Sequence, residues 1–284
     1  MSVTAEPKLS APKRAAKSIL AGSRRRLPAP LYDAGYSFLY SAYRGLLRSL
    51  YFPNRFAQSG AARTRSRRVF RALRYSLVGA SGLEVSHDAV SSVVAAGVPG
   101  DIVECGVAQG GCAGLMGLAM LDDQGAGRRL WLFDSFEGLP DPTAADIDPA
   151  AGSTGSHVQP LLKGSCLGTV DEVSHVIFDY FGIPKARVRM VQGWFEDTLT
   201  PARKELNQVA VLRIDGDWYE STKTCLFALY DRVSPGGFVI MDDYDTCYGA
   251  KRAAEEFFET LPAGQRPADL LSDGRGGRYF QKLH

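Results

Sequence analysis

From Gly100 onward the chain alternates short apolar runs with longer stretches of helical character. The apolar runs predict strands over Asp101–Cys105, Leu130–Asp134, Val188–Gln192, Val209–Asp215 and Gly237–Asp242. Between them, Cys112–Leu121, Val170–Phe181, Tyr219–Val233 and Tyr248–Thr260 read as helices, and Ser86–Ala96 reads as a helix leading into the first strand. Two short strands are expected near Ala268–Leu271 and Arg278–Lys282. Such alternation implies an α/β fold with a mostly parallel sheet and helices on both faces. Glu137–Gly168 has little periodicity and many Pro, Asp, Gly and Ala residues. A loop that long in a compact domain is often a lid, so it is expected to cover substrate and cofactor. There are no internal repeats.

The N-terminal part is different. Residues 1–28 are rich in Ala, Ser, Lys, Arg and Pro, the composition of a disordered basic tail. Residues 29–85 are expected to form a helical arm, and 86–284 the main domain. In the arm, Leu31, Tyr32, Tyr36, Leu39, Tyr40, Tyr43, Leu46, Leu47 and Leu50 recur close to helical spacing, with Arg44 and Arg48 on the flank. This predicts a helix packed on the main domain or on a second copy; an interfacial membrane helix is the sharper alternative. Arg63, Arg65, Arg67, Arg68, Arg71 and Arg74 mark a second basic helix, read as a solvated face.

Charge strengthens the contrast. Residues 1–75 hold 16 Lys+Arg against 2 Asp+Glu, a balance of +14, whereas the whole chain is only +2. A basic segment of this kind suits an anionic membrane or nucleic acid. No RNA-binding aromatics or zinc-finger spacing favour nucleic acid.

Most of the candidate chemistry lies in two acidic runs. Asp215 and Asp217 follow VAVLRI, and Asp242 and Asp243 follow GFVIM. Carboxylates at the C-terminal ends of parallel strands face the crevice where open α/β sheets bind ligands. Asp215, Asp242 and Asp243 offer three hard oxygen ligands to one divalent cation, a pattern that suits Mg²⁺. The competing reading is helix capping, with Asp217 placed to cap the helix after it. Upstream, GDIVECGVAQGGCAGLMGLAM reads as strand, turn, helix, with Gly106, Gly110 and Gly111 in the turn. Glycines there allow close backbone approach to a ligand and leave helix N-terminal amides free. Asp134 ends the next strand, where an acidic residue commonly holds ribose hydroxyls.

The runs ECGVAQGG, LFDSFEGLPDPT, VQGWFEDTL, LRIDGDWYESTK and SPGGFVIMDDYDTCYGAKRAAEEFF resemble the macrocin O-methyltransferase family from about Gly100 to the C-terminus. The resemblance implies a Rossmann-like class I methyltransferase fold, with a seven-stranded sheet containing one antiparallel strand. It implies S-adenosylmethionine and Mg²⁺ as cofactors and a hydroxyl of a sugar, glycoside or phenolic natural product as acceptor. Carried over by residue, Asp215, Asp242 and Asp243 are the metal ligands and Asp217 the general base. Glu104, Gly106, Val107, Gly110 and Gly111 form the cofactor loop. Asp134 and Ser135 contact ribose and adenine, Gln192 and Gly193 lie on a cofactor-facing strand end, and Asp215 also borders the cofactor. The family loop reads close to GVWRGGS, whereas this chain has GVAQGGC, so Ala108, Gln109 and Cys112 depart from it.

With 284 residues and 45% hydrophobic content, the chain can bury a full α/β core. Five cysteines without close paired spacing argue against a secreted disulfide scaffold, and no run reaches transmembrane length. A cytoplasmic, homo-oligomeric enzyme with a small-molecule acceptor is expected. The alternatives are a non-catalytic S-adenosylmethionine-binding protein of the same fold and a membrane-associated adaptor using the basic arm.

Overall fold

The computed structural model describes residues 41–57, 59–123, 127–155, 164 and 166–284. The expected tail 1–28 and the apolar positions Leu31 to Tyr40 lie outside the described residues.

Seven strands form one sheet: β1 Asp101–Cys105, β2 Leu130–Asp134, β3 Val188–Gln192, β4 Val209–Ile214, β5 Val233–Met241, β6 Leu271–Ser272 and β7 Arg278–Gln281. Their spatial order is β3-β2-β1-β4-β5-β7-β6, and β7 alone runs against its neighbours. Order reverses between β1 and β4, which makes a crevice at their C-terminal ends.

The α-helices of five residues or more are α1 over residues 41–51, α2 Gly60–Ala72, α3 Ala80–Ala95, α4 Gly111–Met120, α5 Val170–Ser174, α6 Phe195–Ala202, α7 Tyr219–Leu229 and α8 Tyr248–Thr260, and a single turn, Asn54–Ala57, follows α1. Alternate strand residues feed two cores, as the two-residue period of a strand requires. Ile102, Leu130, Leu132, Val211 and Ile240 pack with α2, α3 and α4 on one face. Val103, Trp131, Phe133, Leu212, Val239 and Met241 pack with α6, α7 and α8 on the other. All six residues of β4 are buried, so it lies covered on both faces.

Some boundaries differ from expectation. The helix expected from Ser86 starts at Ala80 and crosses position 86, with Leu83 buried before it. Strand β5 starts at Val233 because SPGG continues the pairing with β4 across a register shift. The α5 segment widens into a π-helical turn over His175–Tyr180. The sequence pattern did not mark α6, which has only eight residues and contains Pro201.

The arm is bound to the main fold. Tyr51 donates to the buried Glu84 at 2.6 Å. The second basic helix is not a uniformly solvated face. Arg65 pairs with Asp88, Arg68 forks onto both oxygens of Asp122 at 2.6 and 2.7 Å, and Arg71 donates to the Tyr180 carbonyl. Among the described residues, no helix is long and apolar enough to cross a membrane.

Candidate active site

Two groups of residues meet at the C-terminal edge of the sheet. Register places Cys105 beside Ile214 and Ile214 beside Met241, so β1, β4 and β5 end at one level. Asp215 and Asp242 each follow directly, linked to the neighbouring strand by backbone bonds from Asp215 N–H to the Cys105 carbonyl and from Asp242 N–H to the Ile214 carbonyl. One ligand oxygen from each of Asp215, Asp242 and Asp243 falls within 4.8 Å of the others. The Asp217 N–H donates to Asp243 Oδ2 at 3.2 Å, and an oxygen of each residue lies within 4.8 Å of the Cys247 sulfur. Asp217 adopts φ 56°, a left-handed conformation that Asp tolerates better than most residues. It does not cap α7. The cap position belongs to Trp218, and the Tyr219 N–H is taken at 2.6 Å by Asp146, from the long loop.

The acidic cluster is organised by an arginine that sequence reasoning missed. Register sets Arg213 opposite Glu104. Its Nη1 donates to Glu104 Oε1 at 3.0 Å and to Asp215 Oδ2 at 2.9 Å, and its Nη2 lies 2.7 Å from Asp242 Oδ1. Arg213 is completely buried. A charge inside the apolar run VAVLRI was a visible signal, because a buried guanidinium requires partners. Arg275, also missed, donates to Asp242 Oδ2 at 3.0 Å. It sits in the β6–β7 turn, where Asp273 Oδ1 accepts from the backbone N–H groups of Arg275, Gly276 and Gly277.

Three carboxylates thus share two guanidiniums, with Asp217 and Asp243 beside them. Burial works against ionising Asp242, but Arg213 and Arg275 outweigh it and hold this carboxyl below the usual range. Burial, then the charges of Asp217, Asp215 and Asp242, pushes Asp243 well above that range. Burial with Asp215 and Asp242 pushes Asp217 up to about 8, and burial pushes Glu104 up to about 8 against the pull of Arg213. Fully ionised, the five carboxyl groups would outnumber the two guanidiniums, and their hard oxygen ligands fit a small divalent cation.

The other group lies over β1, β2 and β3. Gly106 takes φ 89°, and a Cβ there would sit 1.8 Å from the Asp215 carbonyl oxygen, so only glycine lets the loop cross the end of β4. Asp134 Oδ2 accepts from the Val107 and Ala108 N–H groups at 2.6 and 3.2 Å, and Oδ1 accepts from Phe136 at 2.7 Å. Asp134 thus ties the glycine turn to β2. Ser135 Oγ accepts from Glu137 N–H and donates to the Gly138 carbonyl. Gln192 ends β3 beside Asp134, and the Gly193 N–H donates to the Asp134 carbonyl. Gly110 caps α4 in the left-handed region, and the Gly111 N–H donates to the Tyr75 carbonyl. Glu104 lies deeper than the loop, 1% exposed, with Arg213 on Oε1 and, among the described residues, no hydrogen-bond partner for Oε2. Gln109 points to the arm, where Arg44 bonds its side-chain oxygen.

The long loop reaches both groups. Trp218 Nε1 donates to the Pro140 carbonyl, Tyr248 N–H donates to the Thr154 carbonyl, and Gly168 packs against the Ala108 carbonyl. Cys166 lies close enough to Asp217, Asp215, Asp243 and Asp134 for their charges to raise its thiol pKa, after burial itself.

Comparison with known proteins agrees with this geometry. Residues 41–264 match the model of the family described as Macrocin-O-methyltransferase (TylF). Demethyldecarbamoylnovobiocin O-methyltransferase of Streptomyces niveus is 35% identical over 208 residues, covering 73% of this chain and 76% of the relative. The 8-demethyl-8-(2,3-dimethoxy-alpha-L-rhamnosyl)-tetracenomycin-C 4'-O-methyltransferase of Streptomyces olivaceus is 39% identical over 178 residues, covering 62% of this chain and 66% of the relative. The solved structure of the O-methyltransferase NovP aligns with a TM-score of 0.65 at 30% identity, covering 86% of this chain and all of that one. With the crevice, the strand order and the family match in agreement, the chain belongs to the macrocin O-methyltransferase family and is an S-adenosylmethionine-dependent O-methyltransferase.

Proposed function

We propose that the enzyme methylates a hydroxyl of a glycosylated small molecule, with Mg²⁺ held by Asp215, Asp242 and Asp243. The observation that carries this reading is the convergence of those three carboxylates beside Asp217. A sugar is favoured as acceptor over a simple phenol because one relative is named for a rhamnosyl compound. When bound, the cation lowers the pKa of a coordinated hydroxyl, and the sulfonium of the cofactor supplies an electrophilic methyl group.

The chain's own residues do the rest. Asp217, whose backbone bonds the proposed ligand Asp243, accepts the hydroxyl proton on its carboxylate. The turn Gly106–Gly111 would hold the cofactor, which would supply the methyl group and keep the electron pair of the broken S–C bond on sulfur. Arg213 and Arg275 keep Asp242 ionised and fixed in position. Asp134 holds the glycine turn so that its backbone can pass close to the cofactor, and a carboxylate at this strand end suits the ribose hydroxyls. The Glu137–Gly168 loop limits water in the crevice.

The test is transfer of labelled methyl from S-adenosylmethionine to a panel of rhamnosides, other glycosides and catechols, with chelator and with Mg²⁺ restored. Turnover of a glycoside that is lost in chelator and recovered with Mg²⁺ is expected. Full turnover in excess chelator would overturn the metal assignment, and turnover of catechols alone would overturn the acceptor class.

A further inference from the structure

The arm carries a surface that the methyl-transfer reading does not use. Residues 41–75 contain nine arginines and no acidic residue. On α1, Ala42, Gly45, Leu46, Ser49 and Leu50 are exposed, a helical-spaced face without charge. Phe52, and Phe56 in the next turn, extend it; Leu50 is 46% exposed and Phe56 61% exposed. An apolar patch of this kind marks an interaction site.

The patch is fixed to the fold. Tyr51 is buried and bonded to Glu84, and the Phe52 ring meets those of Phe56 and Phe70 edge to face. The cations lie just behind it. The guanidiniums of Arg48 and Arg55 rest over the Phe70 ring, each 4.4 Å from its centroid, and both side chains are less exposed than the apolar groups in front. Among the described residues neither makes an ion pair, and the Nε of each has no hydrogen-bond partner.

We propose that the face formed by Leu46, Leu50, Phe52 and Phe56 docks on an anionic lipid surface. The charge order selects this occupant. Apolar side chains projecting furthest would enter the headgroup–acyl boundary, and the arginines behind them would meet lipid phosphates. A protein partner matching Arg48 and Arg55 would instead need carboxylates set around an apolar centre. Arg44, on the opposite side of the same helix, bonds Gln109 of the glycine turn, so α1 lies between the docked face and that turn.

The test is co-sedimentation of the full chain with vesicles of phosphatidylcholine alone and with vesicles containing about 30 mol % phosphatidylglycerol. Binding is expected only to the anionic vesicles and should weaken as salt is raised. Leu50→Ser/Phe56→Ser should lower the partition coefficient roughly tenfold or more, with circular dichroism and cofactor affinity unchanged because both side chains point outward. Arg48→Gln/Arg55→Gln should erase the preference for phosphatidylglycerol. Failure of the full chain to sediment with either vesicle would overturn the proposal. So would undiminished binding by the Leu50→Ser/Phe56→Ser protein. Loss of a dimer in that variant on analytical ultracentrifugation, without vesicle binding by the parent, would assign the face to a second copy of the chain instead.

Discussion

The two halves of the crevice are built from different materials. At the ends of β4 and β5, side-chain charge dominates: Asp215, Asp242 and Glu104 pair with two guanidiniums, and Asp217 and Asp243 lie beside them. At the ends of β1 and β2, backbone dominates. The glycine turn is held by amides bonded to Asp134, and the side chains of Ala108 and Gln109 contribute no charge. The first half is unbalanced by itself and suited to a cation. The second is already satisfied and serves as a shaped support. Substitutions in the first half should therefore change electrostatics and rate, and those in the second should change shape and affinity.

The largest expected effect is at Arg213. Arg213→Met removes the one buried cation shared by Glu104, Asp215 and Asp242. Breaking a buried pair from one side costs roughly 3–5 kcal/mol. Urea unfolding at neutral pH should show a loss of that size. Arg275→Met should lose less, since that side chain is 24% exposed and meets only Asp242. Equal losses would mean that the acidic half is not organised around Arg213.

Next is Asp217→Asn, which should lower the methyl-transfer rate about 10²–10⁴-fold, the worth of a general base. Cofactor affinity and Mg²⁺ affinity, both read by calorimetry, should stay close to those of the parent. A fall in Mg²⁺ affinity equal to that of Asp243→Asn would make Asp217 a metal ligand. A rate unchanged by the substitution would remove it from the chemistry.

Asp134→Ala probes the other half. The variant loses three acceptor contacts to the turn, from Val107, Ala108 and Phe136. Cofactor affinity should weaken by roughly 1.5–3 kcal/mol, with water replacing part of the lost bonding. The pH dependence of the rate should be unchanged, because Asp217, the proposed base, lies in the other half. Unchanged affinity on calorimetry would show that the turn keeps its shape without Asp134.

How much of this was legible in the sequence follows the same division. The strand-end aspartates could be found because each follows a continuous apolar run, and a buried parallel strand must expose its next polar residue at the crevice. The glycine turn was legible for a related reason: φ near 80–90° at Gly106 and Gly110 requires glycine. Arg213 left a trace, a cation inside VAVLRI, but reading it required the Glu104 register. Asp146 and Arg275 left none. Each reaches the site from an irregular loop whose path depends on tertiary contacts rather than on periodicity. The same holds for the arm: its helical spacing was visible, whereas the pairing of Arg68 with Asp122 joins residues 54 positions apart.

The smallest expected effect gives the comparison its finest test. Gln109 is the loop side chain that departs most in charge from the family pattern, and its oxygen is bonded to Arg44 of the arm. If the cofactor half is a backbone support, Gln109→Ala should change S-adenosylhomocysteine affinity by less than about 1 kcal/mol, the size of one partly exposed hydrogen bond. Thermal stability should fall slightly, because one tie between arm and turn is lost. Gly106→Ala is the control in the same loop. It adds a single carbon, but that carbon would lie 1.8 Å from the Asp215 carbonyl oxygen, so affinity and metal binding should fail together. A loss of more than about tenfold in affinity for Gln109→Ala, with Arg44→Ala behaving the same way, would mean that the turn holds the cofactor through an arm-supported side chain. The contrast between a charged half and a backbone half would then have to be abandoned.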